Sequence, residues 1–301
     1  MRVVAVAVVA FCVAAPAWAG GVPVELAVSG RTLWAVSDSG LSRFDTRSGA
    51  SAAGPRTPYP YATRLASDGA AIWVASVANG YVSGAVSRID RRTNRASTVL
   101  RLPHRPVWDV CAGGGVAWAP VGQRSGAGVF RLGDGAPRFI ALEADRCAAD
   151  RSGGWFTNGS RLVHVDRDGG TVRTVAHLAG ASQLAVGENN VWVAGRDGIA
   201  RISKRDGRVR TTRVSGTLNE LAVGAGRVWA ITLDVGGQRS RLLRLDPRSG
   251  RVTAGRRLPG APSSIVERDG RVWIGGLDGF TPTLWRVSPA TLAVRRVRAL
   301  G

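Results

Sequence analysis

Acid–base chemistry has few carriers in this chain of 301 residues. There are three histidines, His104, His164 and His177, and no two of them stand at a spacing that a zinc site uses. The weak catalytic candidates are Asp109 and Glu220 as acid and base, with His104 beside them. Aspartate pairs such as Asp166 and Asp168 read as turn residues. Gly113-Gly114-Gly115 reads as a hairpin turn, because no helix follows it to make a phosphate loop. No metal is assigned, and Mg²⁺ or Ca²⁺ enters only if the chain is an enzyme; these signals leave catalysis open and lean against it.

Two constellations are denser. One residue ahead of a recurring Leu-Ala-Val phrase stand Glu25, Arg64, Asp109, Arg146, Gln183, Glu220 and Ser264. The first four alternate in sign. Such a ring either neutralises itself in salt bridges or, with Asn219 and Asp145, forms a polar collar for a small ligand or ion. The second constellation is aromatic: Tyr59, Tyr61 and Tyr81, with His104, Arg105 and Trp108 close to them. It suits a ligand patch, although Pro58-Tyr59-Pro60-Tyr61 could equally serve only to stiffen a connection.

The elements that must position these residues follow from the tryptophans. Trp34, Trp73, Trp118, Trp155, Trp192, Trp229 and Trp273 recur at steps of 39, 45, 37, 37, 37 and 44 residues. A period near 40, with short alternating strands and turns rich in Asp, Ser and Gly, predicts an all-β, seven-bladed β-propeller with four antiparallel strands per blade. The first unit begins with an inner strand near 22–28 and the last ends with an outer strand near 293–299. Neither end therefore has a strand left to complete the other's blade, and no shared closing blade is expected. Residues 20–301 read as one domain. The segments 76–84, 120–128, 231–240 and 275–282 read as long loops, where a rigid scaffold usually carries function.

Residues 1–19 read as a signal peptide: Arg2, an apolar run from Val3 to Ala15, and Ala17-Trp18-Ala19 as the cleavage site. The reading is a secreted protein, extracellular or associated with the cell wall, monomeric and without a transmembrane segment after processing. Cys12 lacks the small residue before it that a lipobox needs. In an oxidising compartment Cys111 and Cys147, in the inner strands of blades three and four, are candidates for a disulfide; the alternative is two small buried apolar residues. The net charge is +20, carried by arginines with Lys204 the only lysine. Many of them fall in third and fourth strands, which maps them to the rim, where an anionic cell-wall polymer would be attracted or where they simply face solvent. Nucleic acid is not expected as a natural partner of an exported chain.

The repeat also resembles known propellers. Ile89-Asp90-Arg91-Arg92-Thr93-Asn94-Arg95, continuing through Pro106-Val107-Trp108 to Val116-Ala117-Trp118, resembles the YVTN-type repeat. Trp155-Phe156-Thr157, followed by Leu162 to Asp166 and the Asp168-Gly169 turn, looks like the repeat of virginiamycin B lyase. That resemblance implies a seven-bladed propeller and, for the lyase, Mg²⁺-assisted opening of a cyclic depsipeptide. The lyase family uses a histidine with nearby glutamates late in the propeller. Here Glu267 stands in that part and no histidine follows His177, so the catalytic set does not transfer. The sequence thus reads first as an exported binding or interaction module whose partner is a protein, glycan or small molecule held on the loop face or channel mouth. A lyase-like enzyme acting on a cyclic ester is the first alternative, and polyanion binding through the arginine rim is the second.

Overall fold

The computed structural model describes residues 24–300 except 38–39, 79, 81, 123–125, 225, 235–238 and 269; of Arg298 and Ala299 it describes the backbone. The signal segment and Tyr81 lie outside the described residues. The chain forms seven four-stranded antiparallel sheets, each built from four consecutive strands. The inner strands are Glu25–Ser29, Tyr61–Ser67, Cys111–Gly113, Arg146–Asp150, Gln183–Val186, Thr217–Gly224 and Ala261–Arg268. Blade 1 is complete within 25–53 and blade 7 within 261–299, so the ring closes without a shared sheet.

The tryptophan period has a packing cause. Among the described residues the core divides into seven clusters, one at each seam between neighbouring blades. Each contains the second-strand tryptophan of the earlier blade. Trp34 packs on Leu65 and Ile72 of blade 2, and Trp273 packs on Val24, Leu33 and Phe44 of blade 1. Each such indole removes roughly 150–250 Å² from water, so one large side chain per seam is the repeated unit of stability. On the third strand the residue opposite the tryptophan is Arg43, Arg88, Arg131, Arg201, Arg244 or Arg286, and in blade 4 it is His164. The arginine column seen in the sequence is therefore a cross-strand partner column. Arg88 lies 5.9 Å from the Trp73 ring centre and His164 lies 4.3 Å from that of Trp155.

Turns between third and fourth strands repeat one device. Asp45, Asp90 and Asp246 accept from the backbone N–H groups two and three residues on, and from the hydroxyl of Ser48, Thr93 or Ser249. These bonds hold the three exposed carboxyls below the usual aspartate range. Left-handed backbone at Gly49, Asn94 and Gly250 then reverses the chain.

One loop expectation is corrected. Residues 275–282 are not a long loop: Gly276, Leu277 and Asp278 pair with Thr283, Pro282 and Thr281, and Gly279-Phe280 closes a two-residue hairpin. Glycine stands at 275 and 276 within that paired strand. The cause is close packing: a Cβ at Gly275 would fall 2.6 Å from Val24 Cγ1, and one at Gly276 would fall 2.4 Å from Ala261 O.

Candidate functional site at the channel mouth and loop face

The inner strands all enter from one face, and the ring residues stand at or near their first positions. Arg64 of blade 2 is the hub. Its Nη1 donates to Glu25 Oε2 at 3.2 Å and to Glu220 Oε2 at 3.1 Å, and its Nη2 donates to Glu220 Oε1 at 3.3 Å. Its Nε stands 3.4 Å from Asp109 Oδ1. Blades 2 and 6 are not neighbours in the ring, so this one side chain crosses the axis. Asp109, 1% exposed, also accepts from Val110 N and from Cys147 N of blade 4. Cys147 is disulfide-bonded to Cys111, with Cα atoms 5.7 Å apart, at the same seam.

Three inner strands carry a bulge immediately before the ring position, between 62 and 64, 218 and 220, and 262 and 264. A bulge leaves one residue out of the ladder and re-aims its side chain. Here the skipped residues are Thr63, Asn219 and Ser263. Each donates to a backbone carbonyl of the next blade: Thr63 to Val107 O at 2.9 Å, Asn219 to Pro262 O at 3.0 Å, and Ser263 to Val24 O at 2.8 Å. Ser264 Oγ accepts from Leu26 N at 3.1 Å. The polar residues at the mouth thus tie blades together before they offer anything to a ligand.

Three carboxyls share the Arg64 guanidinium, and Arg146 adds its positive charge to the field at Glu25. Burial drives the Glu25 carboxyl up to about 8 against the pull of Arg64, and Glu220 and Asp109 push it further in that direction. Burial opposes the charge of Arg64 as well, but Glu220, Glu25 and Asp109 outweigh it and hold its pKa well above the usual arginine value. Asp145 beside the ring is raised by burial, with Arg146 opposing and Glu143 reinforcing. Arg146 donates to Asp145 O at 3.4 Å. Gln183 is half-buried at the start of its strand.

The aromatic patch stands on the same face, over the seam of blades 2 and 3. Thr63 bonding to Val107 O brings the chain after Tyr61 against the chain before Trp108. Tyr61 and Trp108 are each 37% exposed, and Val82 in the blade 2 loop is 58% exposed. Arg101 lies 5.8 Å from the ring centre of Tyr59, whose carbonyl accepts from Thr57 Oγ1. His104 is exposed on a left-handed turn at φ 63°, and Arg105 Nη1 donates to Gly126 O at 3.1 Å. Gly84 makes room for this segment, since a Cβ there would fall 2.4 Å from Val107 N.

Of the weak catalytic candidates, Asp109 and Glu220 meet through Arg64, and His104 stands on the exposed turn. Sequence reasoning passed over a third polar group on the opposite face. Asp150 Oδ2 accepts from Lys204 Nζ at 2.5 Å, and Ser152 Oγ lies 2.5 Å from Asp150 Oδ1 and 3.3 Å from His164 Nε2. The carboxylate holds the hydroxyl and the lysine rather than the imidazole, which ties blade 4 to blade 5. Burial lowers the His164 pKa, with Asp150 opposing. Among the described residues no group of three or more His, Cys, Asp or Glu side chains is arranged to hold a metal ion.

No protein-family profile and no curated protein sequence matches this chain. Solved structures do. The chain is similar to a chain of a nidogen/laminin complex (15% identity, TM-score 0.54, covering 73% of this chain and 90% of that one). It is similar to BamB from Moraxella catarrhalis (16%, TM-score 0.53, 84% and 82%). It is also similar to the dihydro-heme d1 dehydrogenase NirN in complex with DHE (15%, TM-score 0.60, 91% and 66%). At such identities the likeness shows the fold alone: a seven-bladed β-propeller.

Proposed function

We propose that this chain is an exported binding module that presents a rigid, preformed surface on its loop face, centred on Tyr59, Tyr61, His104, Arg105 and Trp108. The observation that carries the reading is the exposed aromatic and apolar surface of Tyr61, Val82 and Trp108 beside a mouth whose acids are engaged by Arg64 and by inter-blade bonds. Exposed aromatic rings held on a rigid frame give contact area at low ordering cost. Export rests on residues 1–19 and suits the Cys111–Cys147 disulfide. Nidogen with laminin supplies a precedent for a propeller and a protein partner.

Glycan and peptide arrays probed with the mature protein and with Tyr61→Ala/Trp108→Ala test the siting. Ligands retained by the parent should be lost by the variant at unchanged melting temperature; ligands held equally by both would sink it. Linearisation of a cyclic depsipeptide by the same preparation in Mg²⁺ would favour the lyase-like alternative. Polyanion binding on the rim has its own support in a groove of about 690 Å³ between blades 6 and 7, lined by Arg256, Arg257 and Arg296, with Asp278 paired to Arg296 at 3.3 Å.

A further inference from the structure

On the face of the channel mouth the chain turns in two places per blade: ahead of the inner strand, and between the second and third strands. In five blades these turns, or the strand ends beside them, carry an acid. It is Asp38 in blade 1, which lies outside the described residues, Glu143 and Asp145 in blade 4, Asp197 in blade 5, Asp234 in blade 6 and Asp278 in blade 7. Blades 2 and 3 differ. Their segments 54–60, 78–83, 103–108 and 122–127 contain no Asp, Glu or Lys. Asp109, next in the chain, is 1% exposed and is taken up by Arg64 and by Cys147 N.

What the two blades present instead is cationic and apolar. Arg101, His104 and Arg105 are exposed. Arg101 lies 5.8 Å from the ring centre of Tyr59. Arg105 Nη1 donates to Gly126 O at 3.1 Å, which uses one of the five N–H groups of that guanidinium. His104 N donates to Ser83 Oγ at 3.4 Å, and Ser83 O accepts from Ala78 N at 3.0 Å, so the loop that carries Val82 is closed on itself and tied to the segment of Arg105 and Trp108. Tyr61 is in register with Val77, one residue ahead of that loop. Backbone bonds therefore hold the rings, the valine and the cations on one frame.

Tyrosine, tryptophan and arginine without Asp, Glu or Lys is the composition found at the centre of protein–protein contacts. A neutral sugar needs acceptors for its hydroxyl protons, and these segments hold no carboxylate to supply them. We propose that the loop face of blades 2 and 3 docks an acidic polypeptide segment. An apolar side chain of the segment lies against Tyr61, Val82 and Trp108, and carboxylates beside it take charge-assisted bonds from Arg101 and Arg105. The proposal rests on the loop-face reading and names the class of its partner. Glu143 and Asp145, exposed at the entrance of blade 4, repel a carboxylate placed over them, so the acidic part of the segment is confined to blades 2 and 3. The charge of +20 draws such a segment in and makes its capture dependent on salt.

The test is selection of displayed random dodecapeptides on the mature protein, followed by titration of the enriched peptides in synthetic form, with an oligogalacturonate beside them as an acidic glycan. The variants are Arg101→Gln/Arg105→Gln, Tyr61→Ala/Trp108→Ala and, to remove the same charge from the rim, Arg256→Gln/Arg257→Gln; melting curves are recorded for each. The expected peptides combine Asp or Glu with an aromatic or large aliphatic residue. They should bind either loop-face variant roughly tenfold more weakly or worse, with the rim variant unchanged. Arg101→Gln alone, which removes no hydrogen bond among the described residues, should give part of that loss even where Arg105→Gln lowers the melting temperature. Enriched peptides without acids, lost in Tyr61→Ala/Trp108→Ala but held by Arg101→Gln/Arg105→Gln, would overturn the acidic partner and leave the loop-face reading standing. Peptides held equally by both loop-face variants would overturn both. Equal loss in the rim variant, oligogalacturonate bound more tightly than every peptide, or no enrichment at all also overturns the proposal.

Discussion

At the entrance of the inner strands one guanidinium bridges three carboxyls across the axis, whereas past their exits, at the closing seam, Arg31, Arg47, Arg268 and Arg271 line a pocket with Thr46. The two regions teach different lessons about charge. In the mouth, burial makes every charge expensive, and the surplus of acid is tolerated because Arg64 spans the axis and backbone donors take up Asp109. At the seam the arginines are largely exposed, so their repulsion is screened and costs little alone. The first arrangement is internally answered and holds the ring together. The second gathers arginines of the first and last blades around one pocket.

Removing the hub should break this contrast most severely. Arg64→Met leaves Glu25, Asp109 and Glu220 facing one another without their cation, and a loss of about 3–5 kcal/mol is expected in denaturant unfolding. A loss below about 1 kcal/mol would mean that solvent in the mouth already neutralises the acids.

An intermediate effect is expected from Glu25. Its carboxyl, ordinarily near 4.5, is raised to about 8 in the folded ring. Its contribution to stability is present in full below pH 4.5 and is lost as pH rises through 8. His164, whose pKa is lowered, works in the opposite sense: its contribution is present above 6.5 and is lost as pH falls. The difference between the parent and Glu25→Gln isolates the glutamate. The melting temperature of the variant minus that of the parent should grow between pH 5 and 9, by on the order of 1 kcal/mol or more in stability; a flat difference would place Glu25 in an ordinary environment.

The smallest effect sharpens the comparison from the other side. Arg268→Asp places at the closing seam the carboxylate that blade 4 carries as Asp150. Stability in denaturant unfolding should shift by about 1 kcal/mol or less at low salt; a larger shift would mean that Arg268 carries more than a screened surface charge.

The ring itself was legible because the tryptophans do one job seven times, each sealing the seam to the next blade. The polar residues were legible as a column but not as partners. Arg64 and Glu220 are 156 positions apart in blades that do not touch as neighbours, and alternation of sign along the chain suggests pairing only between adjacent blades. Thr63 and Ser263 escaped notice because a bulge, not composition, turns them toward the next blade. The seam pocket was hidden for another reason. Arg31 and Arg268 belong to opposite ends of the sequence, and among so many arginines no single one stands out. In blade 7 the glycines that read as loop are where inner strands pass too close for a Cβ.

Closure by packing alone has a topological meaning. Every sheet is complete within one continuous stretch, and Val24 and Leu300 belong to the same core cluster at the seam of the first and last blades. No hydrogen-bond ladder records where the described chain starts. Each of the six inter-blade connections is therefore an equivalent place to open the circle: joining residues 24 and 300 by a linker and cutting elsewhere would leave all seven sheets whole. What singles out the present break is chemical rather than architectural, for it coincides with the seam where arginine faces arginine.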